Sequence, residues 1–177
     1  MSGHNKWSQI KRQKGASDAK KSKVFSKYSK LITEEAKKAK GNLSAPGLKS
    51  AIEKARSENM PNEPIERAIK KAVGDTSAQL ESITYESYGP GGVAVIIEAL
   101  TGNRNKAAQE VKFILSKYSA SLAGIGSVTW AFTKNPGHGF TANTTLPLSP
   151  EDLAQLEKLV DELEDNEEVQ AVYTNAE

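Results

Sequence analysis

The spacing of apolar residues changes near Gly74, and this change constrains the fold more than any other feature of the sequence. Before Gly74, apolar residues recur at intervals of three and four, which places them on one face of α-helices. After it, alternating and continuous apolar runs of strand length separate further helical segments. The sequence therefore predicts an α+β fold with a helical domain over residues 1–76 and a mixed α/β domain over residues 77–177.

Three helices are predicted in the first domain, at residues 17–40, 48–57 and 62–74. Gly41 is expected to end the first helix, because glycine adopts the left-handed conformation that commonly follows a helix. Asn62 is the expected N-cap of the third helix, which carries Pro64 in its first turn. The three helices are expected to pack into one unit, preceded by a basic arm.

From Val93 onward, the predicted order of elements is β-α-β-β-α-β, the split-βαβ pattern of ferredoxin-like sheets. A strand at residues 83–87, before the glycine turn at residues 89–92, is expected as an addition to that pattern. Asn105 and Ser149 are the expected N-caps of the two helices, because both side chains can accept a hydrogen bond from the first helical turn.

One predicted strand of this domain carries a large aromatic residue. Val128, Trp130 and Phe132 alternate in the sequence, so they are expected to share one face of the strand. That face is expected to pack against the leucines of the last helix, at residues 153–163. Residues 135–139 are expected to form an exposed turn.

The charge of the chain is strongly divided. Residues 1–74 hold 18 Lys and Arg against 7 Asp and Glu, a net charge of +11, whereas residues 75–177 hold 6 against 15, a net charge of −9. A basic half beside an acidic half favours contact of the basic half with nucleic acid or another anionic surface.

Several classes of protein are excluded or disfavoured by composition. The chain contains no cysteine, so it has no disulfide, thiol nucleophile or cysteine-ligated metal. No apolar run reaches the roughly 20 residues that span a bilayer. His4 and His138 lack neighbours with metal-ligand or nucleophile spacing, so no catalytic residue, metal or cofactor is expected.

The candidate nucleic-acid-binding residues are mostly lysines. The first helix turns by about 100° per residue, which places its lysines on the face opposite the apolar residues. Lys37 and Lys38 continue this stripe of lysines. The arm, the first helix and the third helix supply the candidates His4, Lys6, Trp7, Lys11, Arg12, Lys14, Lys20, Lys21, Lys23, Lys27, Lys30, Lys70 and Lys71. Secondary candidates at a helix N-terminus are Asn103, Arg104 and Asn105.

Each of these candidates also has a purely structural interpretation. A lysine stripe is often a solvated helix face. Trp7 could stack on bases or anchor the arm on the helices, and the sequence favours neither. Helix capping by Asn105 and a surface position for Arg104 are favoured over phosphate binding there.

Six segments of the sequence carry a resemblance to a known family. They are Gly3-His4-Asn5-Lys6-Trp7, Ser17-Asp18-Ala19-Lys20-Lys21-Ser22-Lys23-Val24-Phe25, Asn59-Met60-Pro61 with Ile65-Glu66-Arg67-Ala68-Ile69-Lys70-Lys71, Tyr85-Glu86-Ser87-Tyr88-Gly89-Pro90-Gly91-Gly92-Val93-Ala94-Val95, Thr101-Gly102-Asn103-Arg104-Asn105 and Gly126-Ser127-Val128-Thr129-Trp130. In this order they resemble the signature segments of the YebC family.

The resemblance implies a bacterial cytoplasmic protein of a family described as probable DNA-binding transcriptional regulators. It also implies mitochondrial relatives that activate translation and bacterial members linked to ribosome function. In the family pattern a further α/β domain precedes the closing helix and strand, and here only residues 133–144 lie at that place. The sequence is therefore similar to a short member from which the inserted third domain is missing.

The expected function is a non-enzymatic, nucleic-acid-binding regulator of gene expression, which the resemblance implies to be a DNA-binding transcriptional regulator. The alternative is a ribosome-associated RNA-binding factor that activates or assists translation. Lysine favours phosphate contact over base readout, because bidentate contacts to bases need Arg, Asn or Gln. The expected partners are DNA or ribosomal RNA and the ribosome, with no membrane, and the chain is expected to be a cytoplasmic monomer.

Overall fold

The computed structural model describes residues 18–177, which divide into two compact units. The helical unit comprises residues 18–80 together with Pro136–His138, and the sheet unit comprises Glu81–Asn135 and Gly139–Glu177. The α+β class is confirmed, with three helices preceding a mostly antiparallel sheet. Within residues 18–177, no helix combines the length and the apolar character needed to cross a bilayer.

Three helices build the helical unit: α1 (Asp18–Lys38), α2 (Pro46–Ser57) and α3 (Asn62–Gly74). Gly41 follows α1 with φ +81°, and its N–H donates to the carbonyl of Ala36 at 3.2 Å. This left-handed glycine closes the end of the helix as expected. The core between the helices consists of small and aliphatic side chains, namely Leu31, Ile32, Ala36, Leu48, Ala51, Ala55, Met60, Ile65, Ala68 and Ala72.

The expected cap of α3 is wrong. Pro61 occupies the N-cap position, and Asn62 is the first helical residue. The Asn62 side chain does not cap the helix but accepts a hydrogen bond from Arg56 Nε at 3.3 Å. Proline is tolerated at the start of a helix because the first N–H groups have no intrahelical acceptor.

The sheet unit contains six strands and two helices. In chain order these are β1 (Glu81–Tyr88), β2 (Ala94–Thr101), α4 (Arg104–Lys117), β3 (Ser121–Leu122), β4 (Phe132–Lys134), β5 (Phe140–Ala142), α5 (Pro150–Asp165) and β6 (Val169–Thr174). Four strands form an antiparallel sheet in the order β3-β1-β2-β6, and β4 pairs with β5 in a separate two-stranded sheet. The strand expected as an addition, β1, is therefore an internal strand of the main sheet.

Strand β2 is buried on both faces, which explains its continuous apolar sequence. Val93, Val95 and Ile97 pack against α4 and α5. The helices contribute Val111, Leu115, Leu156 and Leu159, among others, to this core. On the opposite face, Ala94 and Ile96 pack against the small two-stranded sheet and the turn before it. The alternation of side chains along the strand thus joins two cores through one element.

The expected strand around Trp130 is a turn. Thr129–Ala131 form one turn of 3₁₀-helix, in which successive side chains are about 120° apart, so the alternation predicted for a strand does not apply. Val128 and Phe132 are buried against Ala94 and Ile96, not against the leucines of α5. The Trp130 side chain is 63% exposed, so its expected place in the core is wrong.

Candidate nucleic-acid interface

The basic face of α1 is present along the first part of the helix. Lys20, Lys21 and Lys23 are exposed, and Lys27 and Lys30 are half-buried. The arm candidates that would precede this face lie outside the described residues: His4, Lys6, Trp7, Lys11, Arg12 and Lys14. Of the third-helix candidates, Lys70 and Lys71 are both exposed on α3.

The expectation that Lys37 continues the exposed stripe is wrong, and Lys38, which remains exposed, forms an ion pair. The Lys37 side chain is 7% exposed, and its ammonium lies 3.1 Å from Glu34 and 2.8 Å from Asp75. Lys38 is paired with Glu35 at 2.8 Å. These two lysines are neutralised within the helical unit.

The exposed lysine stripe of α1 ends where the segment after α3 contacts the helix. Lys37 Nζ donates to Ser77 Oγ at 3.1 Å, and the N–H of Leu80 donates to Glu34 Oε2 at 3.0 Å. These bonds hold residues 75–80 along the side of α1 where the stripe would otherwise continue. A helical wheel of α1 alone contains no information about this contact, because the covering residues lie about 40 positions away in the chain.

The ion pair of Lys37 with Asp75 shifts the pKa of both groups. The hydrogen bond from Lys37 holds the pKa of Asp75 well below its usual range, with further hydrogen bonds from Ser77. The same bond to Asp75 raises the pKa of Lys37 above its ordinary value. Both groups therefore stay charged throughout the neutral pH range, and the cluster stabilises the end of α1.

A groove of about 640 Å³ runs between α1, α3 and the segment after α3. We call it the basic groove. Its α1 side presents a row of hydroxyls at helical spacing, from Ser22, Ser26 and Ser29. Lys30 borders it on α1, and the other border carries two cations at i and i+4 on α3, Arg67 and Lys71.

The basic groove has residues that the sequence analysis did not select. Arg67 and the three serines were missed, although the spacing of Arg67 and Lys71 by one helical turn was a usable signal. Lys70 does not line the groove, whereas Lys71 does. At the floor, Thr33 Oγ1 lies 2.8 Å from the Ser29 carbonyl and 3.2 Å from the Ala68 carbonyl, which ties α1 to α3.

Two of the secondary candidates at the start of α4, Asn103 and Arg104, form contacts within the sheet unit. Asn103, not Asn105, is the N-cap, and its side chain accepts from the N–H of Lys106 at 3.1 Å. Arg104 forms a two-pronged contact with Glu81, at 2.5 Å from Nη2 and 3.3 Å from Nε. Asn105 is exposed in the first turn of α4. The helix starts two residues earlier than expected because Thr101 Oγ1 accepts the Asn103 N–H at 2.9 Å.

Two of the signature segments meet around one buried carboxylate. Glu86 on β1 is 6% exposed and accepts hydrogen bonds from the backbone N–H groups of Gly126, Val128 and Thr129, at 2.7, 2.8 and 3.2 Å. The N–H of Ala123 donates to the Glu86 carbonyl at 2.8 Å. This residue therefore fixes the loop that follows β3.

Part of the negative charge at the end of α5 is used in contacts with α4. Glu162 accepts hydrogen bonds from Lys117 and from Tyr118 Oη, the latter at 2.8 Å. The bond from Lys117 lowers the pKa of Glu162, and the bond to Glu162 raises the pKa of Tyr118. Lys106 pairs with Glu168 at 3.0 Å. The Lys117–Glu162 pair joins α4 to α5, and the Lys106–Glu168 pair joins α4 to the loop that follows α5.

Comparison with known proteins assigns most of the chain to two family models. The model described as the TACO1/YebC protein N-terminal domain matches residues 5–75. The model described as the TACO1/YebC second and third domain matches residues 80–138 and 133–176. A solved structure, of a conserved hypothetical protein Aq1575 from Aquifex aeolicus, superposes with a TM-score of 0.74 at 28% identity, covering 90% of this chain and 91% of that one.

Three bacterial proteins illustrate the similarity to curated relatives. A probable transcriptional regulatory protein of Thermotoga petrophila is 52% identical over 136 residues, which cover 76% of this chain and 54% of that protein. The matched region thus spans about half the length of that relative. A second, of Thermoanaerobacter pseudethanolicus, is 36% identical over 239 residues, covering 100% of this chain and 97% of its own length. A third, of Trichlorobacter lovleyi, is 44% identical and covers 98% of this chain and 70% of its own. With matches to both family models and to these relatives, the chain belongs to the TACO1/YebC family, whose named members here are probable transcriptional regulatory proteins.

Proposed function

We propose that this protein regulates gene expression by binding the phosphate backbone of nucleic acid in the basic groove and along the lysine face of α1. The observation that carries the proposal is the convergence of Lys30, Arg67 and Lys71 on one groove beside a row of serine hydroxyls. The names of the relatives support a regulatory role. We propose no catalytic step for it.

The chemistry of the groove suits phosphodiesters. Lysine and arginine neutralise phosphate charge and release counterions, and serine hydroxyls donate to phosphate oxygens. Two carboxylates also line the groove, Glu34 and Asp75, and both are paired with Lys37. Binding through such contacts tolerates many sequences, since the backbone is the same for all of them.

A DNA operator and a structured RNA would both supply a phosphate backbone. The side chains of α1 favour the alternative function, that of an RNA-binding factor that acts at the ribosome. Reading bases in the major groove of DNA needs Arg, Asn or Gln projecting from an exposed helix. The exposed face of α1 instead carries lysines, at positions 20, 21 and 23. Lysine acts on phosphate as a point charge, which supports backbone binding without sequence readout.

A titration of the full chain with duplex DNA and with structured RNA of matched length, from 50 to 200 mM salt, tests the proposal. The variant Lys30→Gln/Arg67→Gln/Lys71→Gln is expected to weaken binding and to reduce the slope of log K against log salt by roughly 2 to 3. The matched control removes the same charge at exposed positions elsewhere, through Lys49→Gln, Lys112→Gln and Lys134→Gln.

An equal loss of slope in both triple variants would overturn the groove as the binding site. Absence of salt-dependent binding by the wild type would overturn nucleic-acid binding altogether. Tighter binding to RNA, together with sedimentation of the wild type with ribosomes that the groove variant loses, would favour the ribosomal role. Tighter binding to duplex DNA without ribosome sedimentation would favour the transcriptional one.

A further inference from the structure

Lys37 belongs to the lining of the basic groove, although the segment after α3 covers it. Its side chain lines the same cavity as the groove cations described above, but it is only 7% exposed. We call residues 75–80, which cover it, the strap. Asp75 and Ser77 of the strap also line the groove, so their contact with Lys37 lies at the groove wall.

The ammonium of Lys37 is fully occupied by oxygen acceptors. It lies 2.8 Å from Asp75 Oδ2, 3.1 Å from Ser77 Oγ and 3.1 Å from Glu34 Oε1. A lysine ammonium has three N–H donors, and these three acceptors match them. Two of the three acceptors come from the strap. A phosphate can therefore contact Lys37 only by taking the place of Asp75 or Ser77.

The strap is held mainly by polar contacts. Residues 76–79 are exposed, and Asp75 and Leu80 are half-buried, so none of the six strap residues is buried. Besides the two bonds to Lys37, the N–H of Leu80 donates to Glu34 Oε2 at 3.0 Å. Segments with few buried apolar contacts open locally at a small cost in free energy. An exchange of acceptors at Lys37 thus leaves the packing of the three helices intact.

The Asp75 carboxylate and a phosphodiester are the same kind of acceptor for a lysine. Both are anionic oxygens that accept charge-assisted hydrogen bonds from an ammonium. Asp75 reaches Lys37 from within the chain, so it competes with any phosphate that arrives from solution. Lys37 lies about two helical turns beyond Lys30 on α1, and its release would extend the cationic border of the groove along that helix.

We infer that the contact of Asp75 and Ser77 with Lys37 is autoinhibitory: it withholds one groove cation from nucleic-acid phosphate. The groove gains this cation when the strap releases it. The inference rests on the proposed function, because it concerns the affinity of the same groove. Apparent affinity is reduced by the fraction of molecules in the competent state, so a loosened strap raises the affinity.

The test is a double-mutant cycle on the full chain, titrated with an RNA duplex of about 16 base pairs from 50 to 200 mM salt. Asp75→Asn is expected to raise the affinity at 50 mM salt by about threefold or more. It should steepen the salt slope by roughly 0.7 to 0.9, the value of one added phosphate contact. In a Lys37→Gln background, the same substitution should leave the slope unchanged. The matched control is Glu63→Gln, which removes an equal charge at an exposed position of α3 outside the groove lining.

Ser77→Ala separates loss of the contact from loss of negative charge. It removes one acceptor of Lys37 without changing the charge of the chain, so relief of repulsion predicts no effect. The autoinhibitory contact predicts a gain in affinity of about twofold that disappears in the Lys37→Gln background. Circular dichroism at pH 7 checks that each variant is folded, and Ser77→Ala decides the inference if Asp75→Asn does not fold.

Each result decides the inference. Gains in affinity and slope that require Lys37 support it. Equal gains with and without Lys37, gains no larger than that of Glu63→Gln, or unchanged affinity in both strap variants overturn it. Such a result beside a clear loss of binding in Lys30→Gln/Arg67→Gln/Lys71→Gln leaves the proposed function standing and removes the inference alone. If the wild type shows no salt-dependent binding, the proposed function fails and the inference fails with it.

Discussion

The carboxylate of Glu86 lies 2.8 Å from the backbone nitrogen of Val128, a residue 42 positions further along the chain. The bond joins two of the signature segments, one on β1 and one in the loop after β3. It also places Val128 over the face of β2 that α4 and α5 do not cover. One buried acidic residue thus positions a core residue and, through the same loop, the exposed Trp130.

Replacement of Glu86 should destabilise the sheet unit. Glu86→Ala leaves three backbone N–H groups without their acceptor and is expected to lower the free energy of unfolding by about 3 kcal/mol, since unsatisfied buried donors cost about 1 to 3 kcal/mol each and the loop can relax. Glu86→Gln retains one acceptor oxygen and should cost less. Urea denaturation followed by circular dichroism measures both, with Glu151→Gln, at an exposed position in the first turn of α5, as the control. A loss no larger than that of the control would contradict the assigned role of Glu86.

Core and surface positions of the sheet unit should respond very differently to truncation. Leu159 is fully buried against β2, so Leu159→Ala is expected to lower the free energy of unfolding by about 2 to 5 kcal/mol. Trp130→Ala removes an exposed ring and is expected to cost about 1 kcal/mol or less. Thermal unfolding of both variants checks the contrast. A severe loss in Trp130→Ala would show that the ring is part of the core.

The ion pair of Lys37 and Asp75 should make stability depend on pH at the acidic end. The lowered pKa of Asp75 means that this carboxylate stabilises the folded state above about pH 4 and loses that contribution as the pH falls further. Asp75→Asn is therefore expected to flatten the decline in stability below about pH 4. Denaturation midpoints from pH 7 to pH 2.5 measure this effect. The control is Glu53→Gln, whose partner Lys49 lies 4.0 Å away on the surface; identical profiles for Asp75→Asn and the wild type would refute the prediction.

A negative charge placed in the basic groove should weaken nucleic-acid binding. Ser26 is exposed on the groove side of α1, so Ser26→Asp puts a carboxylate among the cations that contact phosphate. We expect about a tenfold loss of affinity at 50 mM salt that shrinks at 200 mM, because salt screens exposed charges. Asn42→Asp adds the same charge at an exposed position after α1 and should have little effect. Comparable losses from both substitutions would mean that total charge, not the groove, governs binding.

The secondary structure of the helical unit was predictable because its signals are local. The helical spacing of Leu31, Ile32 and Ala36 and the glycine after α1 act within a few residues of each other. Ser149 caps α5 for the same reason, with its side chain accepting from the Asp152 N–H at 3.1 Å. The predicted N-cap of α4 was two residues too late. Asn103 and Asn105 can both cap a helix, and the sequence does not show that the hydrogen bonds of Thr101 and Asn103 select the earlier position.

The sequence by itself determined the two-part charge, the helical and strand periods, and the cations available for phosphate contact. Only the tertiary structure decided which of those cations lie close to one another in space. The segment after α3 neutralises Lys37, and the packing of α3 beside α1 brings Arg67 to the groove that Lys30 borders. Likewise, whether Trp130 is core or surface depends on a 3₁₀ turn held by Glu86. In each case the deciding contact joins residues about 30 or more positions apart, and local patterns in a sequence carry no information about such distant pairs.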